Sequence, residues 1–452
     1  MSDVLKYVDE NLGRFRAEMY DFLRIPSISA KAEHAGDMTK AAQWLSDRLR
    51  EAGLEPSIHD TPGHPVVLGE WRGAGDGAPT VLIYGHYDVQ PPEPLDEWES
   101  PPFEPTERDG KVFARGSADD KGQLYMHVKA LEAHMKVNGS LPMNVIVLAE
   151  GEEEVGSENL VPFVEQNAER LACDHVIISD SNMYDEGMPS VLFSLRGLAY
   201  FEIHVKGARS DLHSGQFGGP VVNPANALAK IVASFHDDDG RIAVEGFYDD
   251  VVEWDEATRE QIRSLPFDEE AYKADLRVPA LGGEKGWTPL EQLWIRPTCD
   301  VNGLLSGYTA QGAKTVLPNK AMAKVSFRLV KDQSPERVKE LLQAHLEKVA
   351  PAGVTVELKP LHGGRPWQAK VEGKLMDAAS AALEEAFGAK AVLQGEGGSI
   401  PIVVDFEEKL NASALLVGFA LPGCNLHAPN EWFEIEAFEK GIRALAILYG
   451  KL

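Results

Sequence analysis

The segment Asn144–Ser157 constrains this chain more than any other. Asn144–Ala149 (NVIVLA) is a continuous run of β-branched and apolar residues, the pattern of a buried strand. It leads directly into Glu150-Gly151-Glu152-Glu153-Glu154-Val155-Gly156-Ser157, with four carboxylates in five positions. Packing acids together costs repulsion, and solubility does not require it at a strand end. Adjacent glutamates with different tasks, one a metal ligand and one a general base, would explain the cost.

Other runs repeat the pattern. Thr80–Tyr84 (TVLIY) ends at Gly85, and His175–Ser179 (HVIIS) ends at Asp180. Between the first run and Asn144 lies Lys121–Lys136, whose apolar residues at 124, 128, 131 and 135 share one helical face. Residues 4–25 also have helical spacing and stop before Pro26. Buried strands alternating with helices imply an α/β sheet with helices on its faces. Near Arg196-Gly197 the period changes. Leu198–Val205, Ala321–Val330 and Val354–Leu358 alternate as half-exposed strands do, and 223–235 and 334–349 read as helices. After Gly363-Gly364 the pattern returns to a helix (371–387) and a buried strand (413–420). The simplest account is an α/β domain interrupted by an α+β insertion. The stretch 236–295, with acidic clusters at Asp237–Asp239, Asp249-Asp250 and Glu269-Glu270, reads as solvated, irregular surface.

Chemistry-bearing residues gather where the apolar runs end. His86-Tyr87-Asp88 follows Gly85, and residues two apart on extended chain point the same way. The imidazole could bind a metal while Asp88 holds its other ring nitrogen; a histidine capped by its neighbour is the ordinary alternative. Asp119 and Asp120, in Gly116–Gly122 (GSADDKG), precede the helix at 121. A helix cap accounts readily for Asp120 and less readily for Asp119, because loops at strand ends are where α/β enzymes bind ligands. Asp180 ends its strand, where a turn-forming role is the alternative. His427 lies in the loop Gly423–Glu431 after the last buried strand. Together His86, Asp119, Glu154, Asp180 and His427 make five N/O donors on five loops. If those loops share one sheet edge, the set suits two borderline cations sharing one carboxylate.

The 452-residue chain has 44 Lys and Arg against 71 Asp and Glu, a formal charge of −27. That balance disfavours a nucleic-acid or membrane-surface binder. Cys173, Cys299 and Cys424 are too scattered for a disulfide framework. The N-terminus has no apolar signal core, and no apolar stretch approaches the roughly 20 residues that span a bilayer. A cytoplasmic location is the expectation.

The order HxD, GSxDDKG, EGxEExGS, SD and H resembles the dinuclear zinc metallopeptidase family of carnosinase, cytosolic non-specific dipeptidase, aminoacylase and acetylornithine deacetylase. The chain looks most like the carnosinase-like dipeptidase branch. The motifs behind this are GHYDVQPP (85–92), GSADDKGQ (116–123), EEEVGSENL (152–160), SDLHSGQFGG (210–219), GAKTVLP (312–318), HGGRPW (362–367) and EGGSIP (396–401). The resemblance implies an α/β fold: a split catalytic domain (1–196 and 365–452) with a mixed, mostly parallel sheet between helices, plus an inserted α+β lid and dimerisation domain (197–364). It implies that His86 and Asp180 bind one metal, Glu154 and His427 the other, and that Asp119 bridges them. Asp88 would orient His86, and Glu153 would be the general base. The Asp119–Asp120 peptide matches one that is cis in the family. His213 matches a histidine that reaches the neighbouring subunit's active site and helps hold the oxyanion. Arg328 matches an arginine that binds the substrate carboxylate, and His362, Glu396 and Ser399 match substrate-pocket positions. Glu152 receives no role, and solvation is expected there. Gly395 stands where relatives carry a basic residue.

The implied activity is hydrolysis of a dipeptide amide by a small-peptide hydrolase using two divalent cations per subunit, Zn²⁺ first and Mn²⁺ or Co²⁺ also suited. The implied assembly is a homodimer through the inserted domain. An N-acyl-amino-acid deacylase would use the same metal core. A non-catalytic metal- or peptide-binding scaffold would predict a lost base or ligand, and none is lost. An acidic Ca²⁺-binding protein would need a DxDxDG-type loop, which is absent.

Overall fold

The apolar runs assemble into one mixed sheet. A computed structural model describes residues 1–398, 400 and 402–452. The chain divides into two compact units, one of Met1–Phe193, Ala369–Gln394 and Ile402–Leu452, the other of Ser194–Gln368 and Gly395–Pro401.

In the first unit the strands lie in the order Glu55–His59, Val66–Trp71, Asn144–Glu150, Thr80–His86, His175–Ile178, Ser413–Leu416 and Ser190–Leu195. The four from Asn144–Glu150 to Ser413–Leu416 are mutually parallel. Their neighbours on either side are antiparallel. Parallel strands end at a common edge, and the register sets His86 opposite Glu150 there. The central strands are buried on both faces, as their unbroken apolar runs require. The expected last strand is shorter than the run 413–420. The strand ends at Leu416, and the chain continues beside the loop after Ile178 to an isolated bridge between Ala420 and Asn182, with Val417 N–H donating to Ile178 O at 2.9 Å and Met183 N–H to Ala420 O at 2.8 Å.

Helix Lys121–Asn138 packs against Ser2–Leu23 and Ile435–Tyr449. Its apolar spacing predicts one covered face, yet it is buried on every side from Lys121 to His134. The polar side is covered because each group meets a partner. Lys129 Nζ donates to Glu18 at 2.7 Å and to Glu132 at 2.6 Å, and Arg14 pairs with Glu132. His127 lies between Tyr449 Oη at 2.5 Å and Ser179 Oγ at 2.8 Å. Hydrogen-bonded polar groups can be buried at a cost that unpartnered ones could not meet.

The second unit is built on an antiparallel sheet in the order Thr298–Ser306, Lys320–Leu329, Gly197–Lys206, Thr355–Gly364. Alternate residues Ala199, Phe201, Ile203 and Val205 face a core shared with Val325, Phe327 and the helices Pro224–Ala233 and Pro335–Val349. The stretch 236–295 departs from its reading as irregular surface. It holds helices Glu256–Arg263, Glu269–Leu276 and Pro289–Trp294. Several of its polar residues are caps: Asp255 accepts from Thr258 N–H, Asp268 from Ala271 N–H, and Thr288 forms a capping box with Glu291. Glu291 is fully buried beside Arg259 and Arg263, and Phe247, Ile262 and Trp294 are buried too. Among the described residues no helix is long and apolar enough to cross a membrane.

Candidate metal centre

Histidines and carboxylates from five loops of the first unit meet at the common strand edge. His86 ends its strand fully buried, and its Nδ1 lies 3.1 Å from the main-chain oxygen of Asp88 and 3.3 Å from Asp88 Oδ1. That contact turns Nε2 toward Asp119 Oδ1, at 3.0 Å, and Asp180 Oδ2, at 3.8 Å. Asp119 Oδ2 lies 2.9 Å from His427 Nε2, which is 3.3 Å from Glu154 Oε2. The donor atoms of His86, Asp119 and Asp180 all lie within 4.8 Å of one another, and so do those of Asp119, Glu154 and His427. Asp119 belongs to both groups, one oxygen to each. The peptide bond Asp119–Asp120 is cis.

Asp88 does more than the sequence suggests. Its carboxylate accepts the backbone N–H groups of Glu153, at 3.3 Å, and Glu154, at 3.1 Å, which anchors the turn carrying both glutamates. Asp120 is not the helix cap that its position allows. Its side chain makes no cap hydrogen bond, and Oδ2 accepts His86 N–H at 3.1 Å. Gly85 leaves room for that contact, since a Cβ there would stand 2.7 Å from Asp120 Oδ2. Glu152 is held by Asn159 Nδ2 rather than simply solvated, at 3.1 and 2.9 Å.

The donor set fits divalent cations. Burial raises the carboxyls of Glu154 and Asp180, to about 9 and about 6, with the Asp119 charge adding to each. Burial, and then the charges of Asp180 and Glu154, push Glu153 well above the usual carboxylate range against the pull of His86. Burial opposes ionisation of Asp119 too, but His427 and His86 outweigh it and hold that carboxyl low. Acids gathered this way with two imidazoles form a site whose repulsion a cation offsets. Nitrogen and oxygen donors without thiolate suit Zn²⁺, Mn²⁺ and Co²⁺.

Residues 82–450 match the model of peptidase family M20/M25/M40. The chain belongs to this family. Among M20 relatives, the Cys-Gly metallodipeptidase dug1 of Schizosaccharomyces pombe is 31% identical over 464 positions, covering 98% of this chain and 96% of its own length. The M20 family metallo-carboxypeptidase Sso-CP2 from Sulfolobus solfataricus has a crystal structure that matches with a TM-score of 0.85 and 35% identity, over 96% of this chain and 98% of that one. Human carnosine dipeptidase 1 matches with a TM-score of 0.82 and 28% identity, over 100% and 98%.

The remaining residues singled out from M20-like motifs lie in the second unit. His213 is exposed and caps the short helix Ser214–Phe217, its Nδ1 accepting Gly215 N–H at 3.0 Å. Arg328 lines a cavity of about 480 Å³ with Arg196, Thr298 and Asp300. His362 is exposed and meets Tyr200 edge-on at 5.2 Å. Glu396 Oε1 accepts the N–H groups of Gly397, at 2.8 Å, and Gly398, at 3.3 Å. Ser399 lies outside the described residues. Gly395 has a packing reason: a Cβ there would stand 2.4 Å from Trp294 Cβ, so a larger side chain would force Trp294 or the strand to shift.

Sequence reading assigns no role to three residues near the centre. Gln90 donates to Glu154 Oε2 at 2.8 Å. Glu150, fully buried, accepts from Tyr84 Oη at 2.6 Å and Ser157 Oγ at 2.9 Å. Glu431, at the end of the His427 loop, is fully buried. Gln90 and Glu431 fall inside the quoted segments GHYDVQPP and Gly423–Glu431, which was the available signal, but their partners are distant in sequence.

Proposed function

We propose that this chain is a dipeptidase that uses two divalent cations, Zn²⁺ first, with Mn²⁺ or Co²⁺ as alternatives. The observation that carries the reading is the division of the Asp119 carboxylate between two donor groups, with Glu153 on the turn beside them. His86, Asp119 and Asp180 would hold one cation, and Asp119, Glu154 and His427 the other. When bound, such cations supply Lewis acidity toward a scissile carbonyl and lower the pKa of water.

The chain's own groups do the rest. Glu153 takes the proton of the attacking water at its carboxylate and returns it to the leaving amine. Asp88 holds the Glu153–Glu154 turn and the His86 ring in place, so neither must reorganise during the reaction. Burial of His86, Asp88 and Asp119 keeps bulk water from screening their charges, while His427 stands at the exposed side of the centre. The roles of the second unit rest on family resemblance. Arg328 pairs with the substrate's terminal carboxylate. His213 reaches across a homodimer to share the oxyanion charge. His362, Glu396 and Ser399 contact the substrate.

The names of two relatives, a Cys-Gly metallodipeptidase and a carnosine dipeptidase, favour dipeptides. The relative named a metallo-carboxypeptidase favours a second reading, release of C-terminal residues from longer peptides. The test is a panel of dipeptides, their N-acetyl forms and tripeptides, offered to metal-stripped protein reconstituted with Zn²⁺, Mn²⁺ or Co²⁺. Turnover confined to dipeptides with a free α-amine is expected. Preference for N-acetyl substrates would make it a deacylase, and equal turnover of longer peptides a carboxypeptidase.

A further inference from the structure

Glu431 is fully buried, and both its oxygens are committed. Oε2 accepts from Arg115 Nη1 at 2.8 Å and from Gly116 N–H at 3.0 Å. Oε1 accepts from Ala118 N–H at 2.9 Å and Asp119 N–H at 3.2 Å. Its main-chain oxygen accepts Ala114 N–H at 3.1 Å, and the next residue, Trp432, pairs with Phe113 across a small sheet. Four residues upstream is His427, in a turn where His427, Asn425 and Asn430 all have positive φ. Asn430 fixes that turn from outside, donating to Glu97 O and accepting from Glu99 N–H, both at 2.8 Å.

We propose that Glu431 is the positioning residue for Asp119, and that it locks the Asp119 loop and the His427 loop into one unit. The inference rests on the two-cation reading above. The carboxylate collects three backbone N–H groups of the loop that ends at Asp119, as an anion held in a concave run of amides does. Without it those buried donors lose their acceptor, and the loop loses the constraint that sets its path. Asp119 must present one oxygen to His86 and the other to His427, so a small shift of its backbone spoils both contacts together. The hydrogen bonds of Glu431 go to Arg115 and to backbone N–H groups rather than to the donor side chains, so it acts through the backbone of one donor and the loop of another. Arg115, itself buried, balances its charge.

The test titrates Co²⁺ into metal-stripped protein by calorimetry and records the visible absorption of the loaded centre. The proteins are wild type, Glu431→Gln, and Glu431→Gln with Arg115→Met, which removes the stranded buried cation. The expected result is two Co²⁺ bound by wild type, and affinity at both sites lower by about ten-fold or more in the variants, with an altered spectrum. Wild-type affinity and an unchanged spectrum in a folded variant would overturn the proposal. Hydrogen exchange of the wild-type peptide spanning residues 114–121 tests it without any variant. Protection of that segment in the metal-free protein is expected, and free exchange until Co²⁺ is added would overturn it. A wild type that takes up fewer than two Co²⁺ would instead refute the two-cation reading, and this proposal with it.

Discussion

Asp88 Oδ2 accepts the backbone N–H of Glu154 at 3.1 Å. One side chain therefore supports a donor on its own strand end, His86, and the turn of a neighbouring strand. Asp88→Ala should lower metal affinity or kcat/KM by about 10- to 100-fold, as loss of a partner behind metal ligands usually does. Calorimetric titration with Zn²⁺ and steady-state kinetics check this. Wild-type values in both would remove Asp88 from the site.

Glu153→Gln separates proton transfer from metal binding. The amide keeps the size of the side chain but cannot take a proton, so kcat should fall by about 10²- to 10⁴-fold. Elemental analysis should still find two metals per chain. Near-normal turnover with both metals bound would show that the base is another group.

Acid should weaken the fold through the buried network on helix Lys121–Asn138. Burial opposes ionisation of Glu18, but hydrogen bonds from Lys129, Tyr125 and Arg14 and the charge of Lys129 outweigh it and hold its carboxyl at about 2. The folded value lies below the unfolded one of about 4.3, so the unfolded chain binds the proton more tightly. The stabilisation is complete above that unfolded value and is lost as pH falls toward the folded one. Melting temperature should therefore drop more steeply from about pH 5 to about pH 3 in wild type than in Glu18→Gln. Parallel slopes would contradict this. Lys129→Met, which leaves Glu18 and Glu132 to Arg14, should cost about 1–3 kcal/mol in denaturant unfolding.

Gly395→Arg should destabilise the second unit. Its Cβ would meet Trp294 Cβ at 2.4 Å, and overpacking of this kind costs about 1–3 kcal/mol. Thermal melting checks it; an unchanged melting temperature would mean that Trp294 gives way freely.

Much of the fold is legible because burial writes itself into local pattern. NVIVLA, TVLIY and HVIIS lie in strands covered on both faces, and Leu198–Val205 alternates because its sheet is covered on one face. Charged residues mislead where a distant partner changes their meaning. Helix Lys121–Asn138 reads as one-sided because Glu18, Arg14 and Tyr449, which satisfy its polar side, come from other helices. The acidic clusters of 236–295 are exposed as their charge suggests, but the stretch is helical rather than irregular, because an N-cap carboxylate such as Asp255 or Asp268 looks like any surface carboxylate until the helix behind it is seen.

The sequence by itself determined which chemistry was on offer: acids and histidines at the ends of apolar strands, where the backbone leaves the sheet. Only the tertiary structure decided which of them share a site. Parallel register brings the strand ends to one edge, Asp88 accepts backbone N–H groups as well as facing the His86 ring, Asp120 accepts one instead of capping its helix, and Asp119 divides its two oxygens. The reason is physical. A residue's type and its strand-end position are local properties, whereas a metal centre is a set of distances among atoms that lie far apart along the chain, as Asp119 and His427 do at 308 positions.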